Sequence, residues 1–233
     1  MPDLFSSHLE MSTTPLAQEA SALVWSDLLV NRVAVILAIV LLLIEISDIL
    51  TLFPHLMRCL PFWKGNMELE HSVSVSRTRN TVALVAAVLF CIVADAYSIF
   101  NPSWRGLAPP EYSLLITAAI MVGAVLLRGL LYLISPLRSR TAEYPCTVRH
   151  TFFNYFILFA LLAVVTAVLM AAFGVGVRAA RVVLLAEAAA FYLFDILRTS
   201  QILSSRYGVF ATFLYLCALE FLPAGILIAT CTR

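Results

Sequence analysis

Six apolar segments, each about as long as a bilayer is thick, constrain this chain more than any other feature. They run over about 33–53, 81–101, 113–135, 151–173, 180–200 and 209–230. A hydrocarbon core of about 30 Å takes roughly 20 helical residues to cross. Backbone groups at that depth find no water, so each segment must close its own hydrogen bonds as a helix or join a closed barrel. The alternating apolar and polar pattern of a membrane barrel is missing. Pro54, Pro61, Pro102, Pro109-Pro110, Pro136, Pro145, Gly174-Val175-Gly176 and the stretch Ser204 to Gly208 separate the segments. The expected fold is all-α: a polytopic transmembrane helical bundle of six spans with short loops. Composition agrees, with 62% apolar and 12% charged residues, where a soluble domain runs nearer about half and a quarter.

The chain divides into a polar extension, 1–31, and a six-helix transmembrane domain, 32–233. Within the extension, Leu16, Ala20, Leu23, Val24 and Leu28 recur at helical spacing near Trp25. A short interfacial helix and a loosely ordered tail both fit this pattern. Asp3, Glu10, Glu19 and Asp27 appear there before any Lys or Arg, so the basic start of a secretory signal is absent. The first span is expected to direct insertion.

Basic residues favour one side. Arg58, Lys64, Arg77 and Arg79 fall in the first loop, Arg138, Arg140 and Arg149 in the third, and Arg206 in the fifth with Arg198 just before it. Fewer lie opposite: Arg32, Arg105, Arg178, Arg181 and Arg233. The positive-inside rule then puts loops one, three and five in the cytoplasm and both termini outside. A net charge of +1 gives no reason to expect a nucleic-acid partner. The expected partners are the lipid bilayer and other membrane subunits or a second copy of the chain.

Six of the fourteen carboxylates sit inside apolar stretches: Glu45, Asp48, Asp95, Glu187, Asp195 and Glu220. Each costs several kcal/mol at bilayer depth unless it is paired, protonated or wetted. At 1.5 Å per residue, Asp48, Arg128 and Asp195 fall roughly 7–8 Å to the cytoplasmic side of the midplane, with Arg198 a little deeper. Ion pairing within Asp48, Arg128, Asp195 and Arg198 is expected, and locking of helices one, three and five ranks ahead of catalysis there. Arg198 has the alternative of snorkelling to the interface. Glu45, Glu187 and Glu220 lie within roughly 5 Å of the midplane, with no basic residue at their depth, and Asp95 stands alone roughly 6 Å to the outer side. Three roles stay open for the midplane acids: protonated structural glue, proton relay, or a meeting with cations or with basic residues on a partner helix.

Catalytic and metal motifs are missing. There is no G-x-S-x-G, no H-E-x-x-H, no Walker A loop and no pair of His within the spans. Cys59, Cys91, Cys146, Cys217 and Cys231 form no CxxC pair, so neither a disulfide framework nor a zinc site is expected. No catalytic residue, metal or cofactor is assigned, and an enzyme is the less favoured class.

The last segment reads Phe213-Leu-Tyr-Leu-Cys-Ala-Leu-Glu-Phe-Leu-Pro223. Pro223 cannot donate to the carbonyl of Leu219, so a kink or local opening beside Glu220 is expected. Tyr215 and Cys217 flank this point, and Glu45, Glu187, Glu220 and Tyr215 make up the candidate mid-membrane polar site. The string L-Y-L-C-A-L-E-F-L-P resembles the C-terminal signature of domain-of-unknown-function family 4271, an uncharacterised polytopic membrane family common in Bacteroidota. The resemblance implies a bacterial inner-membrane location and supplies no activity, catalytic residue or cofactor.

Three functions follow in order. The first is a non-enzymatic scaffold or assembly subunit of an envelope complex, suggested by little soluble mass and by carboxylates that want partners. The second is a proton- or cation-coupled small transporter carried by Glu45, Glu187 and Glu220. The third is an enzyme acting on a lipid or isoprenoid carrier, with the Arg residues of the ion-pair cluster holding a phosphate.

Overall fold

A computed structural model describes residues 25–61, 65, 69, 72–102, 108–134, 143–205 and 208–231. Most of the 1–31 extension lies outside the described residues, as do Lys64, Arg105, Arg138, Arg140, Arg206 and Arg233, on which much of the expected orientation rests.

Among the described residues, seven α-helices follow in order: α1 (Leu29–Cys59), α2 (Val73–Ala96), α3 (Ser113–Ile134), α4 (Glu143–Ala172), α5 (Val177–Ser204), α6 (Val209–Leu216) and α7 (Leu222–Cys231). A π-helical turn over Cys217–Phe221 joins α6 to α7, so the two form one interrupted passage. No strand occurs among the described residues. Among the described residues, five helical stretches are long and apolar enough to cross a membrane: Leu29–Cys59, Ser74–Ala96, Pro110–Ile134, His150–Ala172 and Val209–Ala229. The chain is a multi-pass membrane protein. The expected span at 180–200 differs from the rest. Its helix, α5, is long enough at 28 residues, but Arg178, Arg181, Glu187, Asp195 and Arg198 make it too polar to count by composition. Asp195 and Thr199 are buried in the bundle.

Packing explains the layout. The two helices with the most extensive shared interface are α2 with α4, matched by α4 with α5. Phe90 of α2 lies between Phe156 and Phe159 of α4, at ring-centroid distances of 5.8 and 5.0 Å. Its central span is 61% buried, against 6% for α1. Helix α1 is a peripheral strut with one inward seam. Ala38, Leu41 and Leu42 pack with Val85 and Leu89, and Leu52, Leu56 and Cys59 join the main core. These positions, spaced by three and four, share one helix face. Ile36, Leu37, Leu43, Ile44 and Leu50 point outward and are exposed, as lipid-facing residues are.

Helix ends follow local chemistry. Pro54 does not end α1, which continues to Cys59; Leu60 caps it in a right-handed helical conformation, and Pro61 follows outside the helix. Helix α2 starts eight residues ahead of the expected 81. It takes in Arg79, which is fully buried and donates to Ser76 Oγ at 3.1 Å and Asn80 Oδ1 at 3.2 Å. The α4–α5 connection is a Schellman turn. Gly174, at φ +64°, sends its N–H to Ala171 O, and Val175 N–H reaches Met170 O. Glycine takes this left-handed conformation without a Cβ penalty. The tight turn folds α5 back on α4, and the connection over 205–208 returns the chain as α6 against α5. Downstream of the π turn, α7 packs against α3 instead.

Candidate functional site

Arg128 on α3 is the centre of the buried charge. It is 9% exposed. Its Nη2 donates to Glu220 Oε1 at 2.6 Å, and its Nη1 lies 3.6 Å from Asp195 Oδ2. Both carboxylates are 2% exposed. The Tyr132 hydroxyl, one turn along α3 from Arg128, donates to the same Glu220 oxygen at 2.9 Å. Tyr192 of α5 donates to the backbone carbonyl of Glu220 at 3.2 Å, within the π turn. The guanidinium carbon sits 4.1 Å from the Phe152 ring centroid on α4, a contact in which the ring face attracts the cation. Phe152 stacks on Phe156, whose ring meets Phe90 in the core. Three helices and the π turn thus fix one cation between two acids.

A cavity of about 130 Å³ opens beside the triad. Arg128, Tyr132, Tyr192 and Glu220 supply its polar groups, and Phe152 and Pro223 are among its apolar wall. Its polar chemistry is odd in charge. One guanidinium faces two carboxyl groups, so the set carries one negative charge or holds one proton. Asp195 is the less satisfied acid: neither of its oxygens makes a hydrogen bond.

The other polar residues do not gather here. Of the expected ion-pair cluster, Arg128 and Asp195 meet, while Asp48 and Arg198 stand apart. The Asp48 carboxylate has no partner among the described residues; only its backbone carbonyl accepts, from Thr51. Arg198 caps the end of α1, donating to the carbonyls of Leu60 and Pro61 and to Gln201 Oε1 at 2.7 Å. A cation at a helix C-terminus satisfies open carbonyls and complements the helix dipole. Arg198→Met should therefore lower stability by about 1–3 kcal/mol, seen as an earlier thermal transition in detergent, with Arg198→Lys falling between it and the parent.

Glu45, Glu187, Glu220 and Tyr215 are dispersed in the same way. Glu45 sits on the inward seam of α1 with Oε2 buried and unbonded. Glu187 accepts from Thr166 Oγ1 at 2.6 Å, tying α5 to α4, with Oε2 left without a partner. Glu220 is not unpaired: Arg128 reaches it. Tyr215 packs beside Ile202, Leu203 and Leu219, and the phenol that bonds Glu220 is Tyr132. Asp95 does not stand alone either. At 1% exposure it accepts hydrogen bonds from Trp25 Nε1 at 2.7 Å, Thr117 Oγ1 at 2.9 Å and Ser113 Oγ.

Sequence reasoning missed Tyr132, Tyr192 and Phe152. Tyr132 carried a signal, since it lies four residues after Arg128 on one helix face. Tyr192 carried the same kind of signal, three residues before Asp195 on α5, and Phe152 carried none. Among the described residues no group of three or more His, Cys, Asp or Glu side chains is placed to hold a metal ion. Comparisons with protein-family models, with curated proteins and with solved structures find no match to this chain.

Proposed function

We propose that this membrane protein couples transport to a proton or small cation at the Glu220–Arg128–Asp195 triad. One observation carries the reading: a single buried guanidinium lies between two buried carboxyl groups, at the edge of a cavity. A structural ion pair needs one acid per base. The second acid gives the site a place for one exchangeable positive charge, and ionisable groups at bilayer depth mark ion and proton pathways. The unbonded oxygens of Glu45 and Glu187 extend the same chemistry to two further points in the bundle. A bacterial inner-membrane location, membership of the family resembled by the C-terminal string, and six crossings with both termini outside belong to this reading. They rest on that string and on the sequence pattern.

The packing favours this reading over the other two. Glu45 has its Oε2 buried, so of the two α1 carboxylates only Asp48, half-buried and without a side-chain partner among the described residues, stays available to a basic partner. Arg128 is already opposed by two acids, which leaves it little attraction for a lipid phosphate.

Reconstituting the full chain in liposomes that enclose a pH-sensitive dye tests the proposal. With an imposed pH gradient, or a sodium or potassium gradient, proteoliposomes should dissipate it faster than protein-free vesicles. Glu220→Gln should return the rate to the protein-free background. A Glu220→Gln protein as active as the parent would remove Glu220 as a carrier, and a parent chain indistinguishable from empty vesicles would remove the reading.

A further inference from the structure

Resting on the reading above, we propose that Asp195 holds the exchanged proton and that Arg128 changes partner from Glu220 to Asp195 as this proton moves.

The geometry is asymmetric in a way that assigns the proton. Glu220 is served at one oxygen: Arg128 Nη2 at 2.6 Å and the Tyr132 hydroxyl at 2.9 Å both donate to its Oε1, as they would to a carboxylate. Asp195 receives no hydrogen bond at either oxygen, although it is 2% exposed. An ionised carboxylate sealed in that state is the costliest form of the group. A proton on Asp195 removes the charge and leaves Arg128 and Glu220 as a neutral pair.

The surrounding groups favour a proton over a metal cation. From α3 the site is met by Arg128 and Tyr132, from the π turn by Glu220, and from α5 itself by Tyr192. Arg198, three residues on, is turned away to the carbonyls of Leu60 and Pro61. On α4, Phe152 covers the guanidinium, and the Tyr155 hydroxyl donates to Cys59 O at 2.8 Å. A hard metal cation requires about six oxygen ligands, and here it would sit against a guanidinium. A proton adds no second charge centre and needs only one oxygen.

The exchange balances. In the first state Asp195 is a carboxylic acid, and Arg128 is bonded to the Glu220 carboxylate. Asp195 gives up its proton, Arg128 Nη1 closes the remaining gap from 3.6 Å to hydrogen-bond distance, and Glu220 takes up one proton as Arg128 leaves it. Arg128 keeps its own protons throughout. Tyr192, which holds the Glu220 backbone, lies three residues before Asp195. The swap therefore moves a proton from α5 to the π turn. Thr199, one turn beyond Asp195 on α5, is buried with an unbonded hydroxyl.

Infrared difference spectroscopy of the purified full chain tests this without any transport assay. The C=O stretch of a protonated carboxyl is separate from the amide bands and shifts in D2O. The parent should show such a band that Asp195→Asn lacks and that Glu45→Gln and Glu187→Gln keep. Glu220→Gln, which keeps the size of the side chain, should also lose it, because Arg128 is then free to pair with an ionised Asp195. The proposal is overturned if the band survives Asp195→Asn, if Glu220→Gln leaves it intact, or if sodium or potassium chloride abolishes it in the parent. Should Asp195→Asn fail to fold, Asp195→Glu decides: the band should move in frequency with that change of side chain, and a band it leaves unmoved would overturn the assignment. Gradient dissipation with no Asp195 band would sink this assignment and spare the transport reading; the reverse pattern would do the opposite.

Discussion

Replacing Arg128 with methionine should destabilise the protein by about 3–5 kcal/mol, the usual loss when one member of a buried ion pair is removed. Glu220 and Asp195 would then share a 2% exposed interior without a cation, and the Tyr132 hydroxyl would remain as the single side-chain donor to Glu220. Arg128→Lys should fall between. It keeps the charge, but one ammonium cannot reproduce the fork that reaches Glu220 and Asp195 together, nor the planar contact with Phe152. Combining Arg128→Met with Glu220→Gln and Asp195→Asn should recover much of the loss, because no buried charge is left unopposed. Thermal transitions in one detergent, read by circular dichroism, give the ordering. A triple variant no more stable than Arg128→Met alone would show that shape rather than charge balance holds the site.

Asp95→Ala is the second large effect. Three donors converge on this carboxylate: Trp25 from the segment before α1, and Ser113 and Thr117 from the first turns of α3. Hydrogen bonds to a charged acceptor contribute about 1.5–3 kcal/mol each. The two hydroxyls can turn back to their own helix carbonyls, so the losses do not simply add. A net loss of about 3 kcal/mol is expected, with Asp95→Asn milder because its amide oxygen still accepts. The Trp25 fluorescence of Asp95→Ala should shift at temperatures where the parent is still folded. Unchanged fluorescence with the same melting temperature would show that the three bonds are not essential to docking that segment.

The bundle was largely legible because hydropathy reports the solvent of each helix. The last segment was expected at 209–230 and its helical passage covers Val209–Cys231. Boundaries failed where charge was mistaken for exposure. Ser76 to Asn80 reads as loop because it carries Arg77 and Arg79, yet Arg79 is buried among its own helical neighbours. The site was harder to see. Depth placed Arg128 level with Asp195, and those two do meet, but it set Glu220 nearer the midplane. Depth counts Cα positions, whereas the long side chains of arginine and glutamate reach across that difference. The pair is separated by 92 residues, and only the folding of α6 and α7 against α3 and α5 brings it together. Asp48 shared the depth of Arg128 but not its side of the bundle, because depth carries no azimuth.

Azimuth is what the widened turn over Cys217–Phe221 controls. A π turn is one extra residue in an α-helical course, and one residue is about 100° of rotation. Upstream of it, α6 lies on α5; downstream, α7 lies on α3. The turn works as a phase shifter, letting one passage present two different sides to two neighbours, with Glu220 at the changeover. Deleting Ala218 would restore a plain helix and rotate the two halves relative to each other. One of those contacts, or the alignment of Glu220 with Arg128, would then be lost even though no charged residue had been touched.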